Sequence, residues 1–102
     1  MLDCFNTIEE VEKINPDVAL IPIGSVEQHG SHLPIGTDYL IAKALSEEIA
    51  RRYNALLYPT IPFSNCYEHK GKKGSLGMSP KTLITLVQDL ALNLRSSGFK
   101  KV

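Results

Sequence analysis

The sequence has no excess of charge of either sign, no long hydrophobic run and few cysteines. Eleven basic and eleven acidic side chains balance among its 102 residues, which disfavours the positively charged surface of a nucleic-acid or membrane-surface binder. The longest apolar run, residues 18–23, is far shorter than the roughly 20 residues that cross a bilayer. Acidic residues near the start, such as Asp3 and Glu9, interrupt any segment resembling a signal peptide. We therefore expect a cytoplasmic protein with no nucleic-acid partner and no membrane partner.

The two cysteines and the absence of glycine-rich phosphate motifs narrow the function further. Cys4 and Cys66 lie far apart and lack the CxxC spacing of a metal or redox pair. We expect reduced, buried thiols, with a disulfide or a metal thiolate as the alternatives. Neither the GxGxxG pattern nor a GxxxxGK pattern ending in Ser or Thr is present, which disfavours a nucleotide-binding domain.

Helical and strand-like patterns alternate along a chain long enough for one domain. Capping residues and apolar positions three to four residues apart predict helices, and apolar runs rich in β-branched residues predict strands. The predicted helices cover residues 7–15, 37–53 and 80–98, and the predicted strands cover residues 17–23 and 55–61. Residues 99–102 resemble the approach to a further strand.

This alternation predicts the α/β class, with a three-layer α/β/α arrangement around a mostly parallel sheet. The apolar stripes of the second and third helices are expected to face the core. These stripes comprise Leu40, Ile41, Ala44, Leu45 and Ile49, and Leu83, Ile84, Val87, Leu90, Ala91 and Leu94. A sheet that stopped at residue 102 would have an unpaired hydrophobic edge, which natural domains avoid. We therefore expect residues 1–102 to be a single domain, the N-terminal part of a fold that is truncated here.

The segment at residues 23–38 carries the residue types that metal chemistry requires. It follows a buried strand and precedes a helix, the junction at which open α/β sheets build their sites. In an extended segment Glu27 and His29 point to the same side, and Asp38 would lie in the first helical turn, where the helix dipole favours a carboxylate. One imidazole and two carboxylates suit Zn²⁺, Mn²⁺ or Fe²⁺.

Simpler interpretations of the same residues remain open. A polar loop of this kind is often only solvated, and either Thr37 or Asp38 is a suitable helix N-cap. His32 is a fourth ligand, a donor to the ligands or an ordinary loop histidine.

The same segment closely resembles the signature of the creatininase (creatinine amidohydrolase) family. The matching string is Pro22-x-Gly-Ser-x-Glu-Gln-His-Gly-x-His-Leu-Pro-x-x-Thr-Asp38. The resemblance implies two divalent metal ions, with Glu27 on one, His29 on the other and Asp38 bridging them. It also implies a homo-oligomer that hydrolyses a C–N amide bond in a small molecule, either a cyclic amide or a formamide, by attack of a metal-activated water. Some relatives act in peptide maturation.

The loop at residues 62–78 resembles the family less closely. Glu68 and His69 match a Glu-His pair on the substrate side, and we interpret them as candidate catalytic residues for proton transfer, with simple exposure as the alternative. The residues at 72–75 are Lys-Lys-Gly-Ser, where the family has Phe-Pro-Gly-Thr. The lysines at positions 70, 72 and 73 either contact an anionic group or form a solvated, mobile loop.

Three ligands are too few for two metal ions, and the family supplies a further histidine and glutamate from later in its sequence. We therefore expect the 102 residues alone to be inactive or to bind metal weakly, with a partner segment completing the site. The competing hypothesis is a non-catalytic α/β module that pairs its open sheet edge with a partner chain.

Overall fold

The computed structural model describes residues 1–102 and has a small parallel sheet at its centre. Strands β1 (Leu2–Asp3) and β2 (Val18–Leu20) each pair in parallel with β3 (Ala55–Leu57), so the strand order is β1-β3-β2. Lys101 forms an isolated parallel bridge with Val18 on the other side of β2. The predicted parallel sheet is therefore confirmed, and the chain does return to the edge of the sheet after the third helix.

Three helices accompany these strands, two between them and one after β3, and all three were predicted from their capping residues and periodicity. They are α1 (Ile8–Ile14), α2 (Thr37–Arg52) and α3 (Pro80–Ser96). Thr7 and Glu10 form the predicted capping box, and Ser79 accepts a hydrogen bond from the Thr82 backbone N–H. None of the helices has the combination of length and apolar character needed to span a membrane.

The central strand β3 is covered on both faces. All three of its residues are buried, and neighbouring residues of a strand point to opposite sides of the sheet. Helix α2 packs against β3, while Leu56 lines a cavity together with Val11 of α1 and Phe99, which follows α3. The fold is therefore of the predicted α/β class, with helices and a parallel sheet.

The strands are shorter than predicted. Each strand segment contains a proline, Pro22 in the first and Pro59 in the second, and proline cannot donate a ladder hydrogen bond. Ile23 and Ile61 nevertheless pair through an isolated parallel bridge beyond the regular ladder. The two segments thus continue side by side up to the start of their loops. Strand β1 was not predicted, since two residues show no periodicity.

Helix α2 packs on the sheet with the face opposite to the one predicted. Its buried residues are Ser46 and Ala50, whose small side chains allow the helix to approach β3 closely. The predicted core stripe points outward and is between 44% and 60% exposed at Leu40, Ile41, Leu45 and Ile49. The small side chains of Ser46 and Ala50 therefore determine which face of α2 packs on the sheet. Within residues 1–102, no other helix or strand covers the apolar face of α2.

The prediction for α3 holds for part of its stripe. Leu94 is buried, and Leu83 and Ala91 are half-buried. Ile84, Val87 and Leu90 are exposed, contrary to prediction. Val87 and Leu90 line an apolar cavity of about 230 Å³ beside β2, so these side chains lie over the sheet edge without filling the space.

Both cysteines are free, and only one of them is buried. Cys66 is buried as expected, whereas Cys4 is exposed. The expectation of two buried thiols is therefore wrong for Cys4, which lies in a turn directly after β1.

Candidate metal centre

Gly24 brings the loop after β2 against the start of α2. A Cβ atom added at residue 24 would lie 2.5 Å from Cα of Tyr39 and 2.8 Å from its backbone nitrogen. No residue with a side chain allows this approach of two backbones. Because Asp38 precedes Tyr39 in the chain, the contact places the Asp38 carboxylate beside the loop that carries Glu27 and His29.

Glu27, His29 and Asp38 come together in the structure. One ligand atom from each lies within 4.8 Å of the others, and His29 Nε2 is 3.5 Å from Asp38 Oδ2. The side chains that the spacing singled out thus converge on one point, at the end of the sheet where the strands stop. Their role as metal ligands stays a prediction.

Asp38 is free of helix capping, contrary to the simpler interpretation. Helix α2 begins at Thr37, and its N-cap residue, Gly36, provides no side-chain hydrogen bond. The Thr37 hydroxyl donates to the Pro34 carbonyl oxygen at 2.5 Å. Asp38 Oδ2 instead accepts a 2.9 Å hydrogen bond from the buried Ser25 hydroxyl. The carboxylate is therefore oriented by the loop and directed toward His29.

The hydrogen bond of His29 prepares its other ring nitrogen to bind a cation. Nδ1 lies 3.1 Å from the backbone carbonyl oxygen of Glu27. Since a carbonyl oxygen only accepts, Nδ1 carries the hydrogen and Nε2 carries the lone pair. Metal-ligating histidines are commonly oriented in this way, by a second bond to a carbonyl or a carboxylate.

Glu27 is an acidic residue that is only 9% exposed. The nearest side-chain nitrogen of a basic residue is Nε2 of His69, at 3.9 Å, beyond hydrogen-bonding distance. The Glu27 side chain is 12% accessible, so its carboxylate reaches solvent only in part, and a positively charged ligand would replace the missing hydrogen bonds. The donor set of two carboxylates and an imidazole nitrogen thus fits a divalent transition-metal ion.

The second loop is tied to the first by hydrogen bonds and brings a further pair of polar residues to the site. The backbone N–H of Gln28 donates to Ser75 Oγ at 2.9 Å, and Gln28 Nε2 lies 2.9 Å from His69 Nδ1. Glu68 and His69 lie in a 3₁₀ turn, Tyr67–His69, with His69 Nε2 3.9 Å from Glu68 Oε1. Ligand atoms of Glu27, Glu68 and His69 form a second group within 4.8 Å.

The other residues singled out from the sequence lie outside these groups. His32 is exposed and belongs to neither ligand group, as an ordinary loop histidine would. The lysines at 70, 72 and 73 are exposed as well, and Lys70 Nζ lies 5.1 Å from the centre of the Tyr67 ring.

Sequence reasoning did not assign roles to Ser25, Gln28 and Ser75. The first two lie within the signature string, so their position marked them, but their partners are distant in sequence.

Burial raises the pKa of the neighbouring Cys66 thiol, and the negative charges of Glu27 and Glu68 raise it further. This thiol is therefore kept in its protonated form beside the acidic site.

Known proteins match this chain both in sequence and in fold. The family model for creatininase, described as creatinine amidohydrolase, matches residues 6–102. The mycofactocin precursor peptide peptidase of Mycobacterium ulcerans (strain Agy99) is 36% identical over 77 residues, covering 67% of this chain and 31% of the relative. Creatinine amidohydrolase of Pseudomonas putida is 28% identical over 90 residues, covering 83% of this chain and 35% of the relative.

Solved structures agree with these sequence matches. The structure "Creatininase Mn" superposes with a TM-score of 0.83 at 25% identity, covering 98% of this chain and 42% of the other. The "E122Q mutant creatininase, Zn-Zn type" gives a TM-score of 0.80 at 26% identity, covering 94% and 41%. The chain thus spans 31% and 35% of the length of these two relatives. With a family model matched from residue 6 to residue 102, the chain belongs to the creatininase family.

Proposed function

We propose that this chain is part of a divalent-metal-dependent hydrolase that cleaves a C–N amide bond in a small molecule. The observation that carries the proposal is the convergence of Glu27, His29 and Asp38, with ligand atoms within 4.8 Å of one another. Each side chain is prepared for a cation by a different feature. Glu27 is buried without a hydrogen bond to its carboxylate, His29 presents a lone pair at Nε2, and Asp38 is held by Ser25.

The proposed cofactor is a pair of divalent ions, Zn²⁺, Mn²⁺ or Fe²⁺. In this arrangement Glu27 would hold one ion, His29 would hold the other and Asp38 would be a ligand to both. Bound ions would supply the positive charge that polarises an amide carbonyl and activates water. The names of two structural neighbours, one with Mn and one of a Zn-Zn type, support this choice. Three side chains do not fill two coordination spheres, so we propose that another segment of the protein contributes the remaining ligands.

We propose Glu68 and His69 as the catalytic residues beside the metal ligands, with Glu68 delivering the proton and His69 donating a hydrogen bond to the substrate. Cleavage of an amide requires a proton at the departing nitrogen, and a side chain within reach of the site must deliver it. His69 Nε2 faces the same space as the Glu27 carboxylate, 3.9 Å away. Glu68 is more exposed, with 67% of its side chain accessible, and can exchange protons with solvent.

The proposed substrate class is a small cyclic amide or a formamide. The names of the relatives include a peptide peptidase and a creatinine amidohydrolase, and both reactions hydrolyse a C–N bond next to a carbonyl group. Hydrolysis of this type of C–N bond is the reaction that we propose for the present chain.

The alternative function is a non-catalytic module that pairs with a partner chain. The outward apolar stripe of α2 favours a covered surface of some kind, since Leu40, Ile41 and Leu45 are all more than half exposed. Such a stripe also supports assembly of the enzyme as a homo-oligomer or with a partner segment. The two functions differ in metal content, because a module that only pairs with a partner has no use for bound ions.

Metal content and amide hydrolysis, measured on the same preparation, test the proposal. The wild-type protein that includes the segment with the remaining ligands is expected to bind Zn²⁺ or Mn²⁺ and to hydrolyse an amide from a panel containing creatinine and N-formylated amines. Asp38→Ala is expected to abolish metal binding, and Asp38→Asn to weaken it, because an amide retains one oxygen ligand but loses the charge. Asp89→Ala, at an exposed position of α3, is the control and should bind as the wild type does.

Two results would contradict the proposal. Full metal stoichiometry in Asp38→Ala would exclude the assigned role of this carboxylate. Absence of both metal and amidase activity in the wild-type protein that includes the completing segment would favour the non-catalytic module.

A further inference from the structure

We propose that Gln28 is a positioning residue that fixes the tautomer of His69, so that His69 donates a hydrogen bond from Nε2 into the site and is not a metal ligand. The use of that hydrogen bond in amide cleavage rests on the proposed function. The tautomer itself follows from hydrogen bonds within the chain.

The orientation of the Gln28 side-chain amide is determined by the backbone. The N–H of Gly30 lies 3.0 Å from Oε1 of Gln28. A backbone N–H only donates, so the side-chain atom that it faces must be the oxygen. The NH₂ group is therefore on the side of His69, with Nε2 2.9 Å from Nδ1 of the imidazole. A third bond, from the Gln28 backbone N–H to Ser75 Oγ, holds the residue between the two loops.

This arrangement gives the two histidines of the site opposite tautomers. An amide NH₂ group only donates, so Nδ1 of His69 must accept and the hydrogen of the neutral ring lies on Nε2. In His29 the partner of Nδ1 is a carbonyl oxygen, which only accepts, so the hydrogen lies on Nδ1. His29 thus offers a lone pair to a cation, whereas His69 offers a hydrogen.

The Nε2–H group of His69 has no hydrogen-bond partner within the chain. It lies 3.9 Å from Oε1 of Glu27 and 3.9 Å from Oε1 of Glu68, too far for a hydrogen bond. It therefore points into the space between the two carboxylates, where the carbonyl oxygen of a substrate amide could accept a hydrogen bond from it.

The same tautomer excludes a cation that the geometry would otherwise admit. Glu27, Glu68 and His69 have ligand atoms within 4.8 Å of one another. To bind there, His69 would need its lone pair at Nε2 and its hydrogen at Nδ1. Two donors, the Nδ1–H and the NH₂ group of Gln28, would then face each other at 2.9 Å. Gln28 thus keeps the ligand group around His29 separate from Glu68 and His69.

Nitrogen NMR of the imidazole rings tests the tautomers directly. In the metal-free protein at about pH 8, where an ordinary imidazole is neutral, two-bond ¹⁵N–¹H correlations should show the hydrogen on Nε2 in His69 and on Nδ1 in His29. His69→Asn and His29→Asn assign the signals. A wild-type His69 with its hydrogen on Nδ1 would overturn the proposal, whether or not any variant folds.

Gln28→Glu is the informative variant, because a carboxylate keeps the shape of the amide and the bond from Gly30 but accepts from His69. It should move the hydrogen of His69 to Nδ1 and expose the Nε2 lone pair, so that Zn²⁺ titration finds about one further ion per chain. Gln88→Glu makes the same change at an exposed position of α3 and should add none. An unchanged His69 tautomer in folded Gln28→Glu would contradict the proposal.

The test separates this inference from the proposed function. If the wild-type protein neither bound metal nor hydrolysed an amide but had the tautomers described above, the proposed function would be rejected and the role of Gln28 would stand. Metal-dependent hydrolysis in a protein whose His69 carries its hydrogen on Nδ1 would do the reverse.

Discussion

Ser25 and Asp38 are joined by a 2.9 Å hydrogen bond from the serine hydroxyl to Oδ2 of the carboxylate, across 13 positions of the sequence. Ser25 is 6% exposed and 41% of the Asp38 side chain is accessible, so a buried donor holds a carboxylate that is partly open to solvent. This bond sets the direction of the Asp38 side chain. Such outer partners of metal ligands contribute to affinity by preorganising the ligand.

We predict that Ser25→Ala weakens metal binding without removing it. All three proposed ligands remain, but Asp38 loses the donor that orients it, and loss of such a partner typically costs about 10–100-fold in affinity. Competition with a chromophoric chelator measures the change. Ser96→Ala, at an exposed position near the end of α3, should leave the affinity unchanged. Equal affinities for the two variants would show that Ser25 has no orienting role.

We predict that Gly24→Ala affects both stability and metal binding. The new methyl group would lie 2.5 Å from the Tyr39 Cα atom, so the loop and the start of α2 must move apart. Overpacking of this kind typically lowers the free energy of unfolding by about 1–3 kcal/mol. It should also separate Asp38 from Glu27 and reduce metal affinity.

Gly36→Ala is the matched control for this prediction. A Cβ atom there meets nothing within 4 Å, and the φ angle of Gly36, −90°, suits any residue. Chemical denaturation and metal titration of the two variants give the comparison. If Gly24→Ala were as stable and as tightly metal-binding as Gly36→Ala, the close approach of the two backbones would not be what positions Asp38.

The predictable parts of the fold were those specified by neighbouring residues. The capping box at Thr7 and Glu10 and the Ser79-Pro80 start of α3 depend on groups three residues apart or closer, so the sequence alone locates both helix starts. The outward orientation of the apolar stripe of α2 could not be predicted, because an apolar stripe on a helix normally indicates the face that packs on the core. What decides the packing is the small size of Ser46 and Ala50 against β3.

In the candidate site, too, contacts within one short segment could be predicted and contacts between distant segments could not. The Glu27, His29 and Asp38 cluster could be predicted, since the three lie on one short segment between a strand and a helix. The partnership of Gln28 with His69 could not be predicted, because the two are 41 positions apart and meet only when the second loop folds back. Hydrogen-bond direction, and with it the tautomer of each histidine, requires the three-dimensional arrangement.

The raised pKa of Cys66 makes the stability of the fold depend on pH. Burial is the main cause of its raised pKa, followed by the charges of Glu27 and Glu68. The folded protein thus retains the thiol proton at a pH at which the unfolded chain, with an ordinary cysteine pKa of about 8.5, loses it. The stabilising contribution of the neutral thiol is complete below about pH 8.5 and is lost as the pH rises through the pKa of the folded state.

Alkylation rates provide the measurement for this last prediction. The thiolate is the reactive form, so in the metal-free protein Cys66 should react slowly with iodoacetamide near pH 7 and faster as the pH rises beyond about 8.5. Cys4 is exposed and should react first, so the Cys4→Ser variant isolates the signal of Cys66. In denaturant the burial and the neighbouring charges are lost, and Cys66 should then react as an ordinary cysteine does. If Cys66 in the folded protein were alkylated at pH 7 as fast as in denaturant, then neither its burial nor the nearby carboxylates would hold the thiol proton in solution.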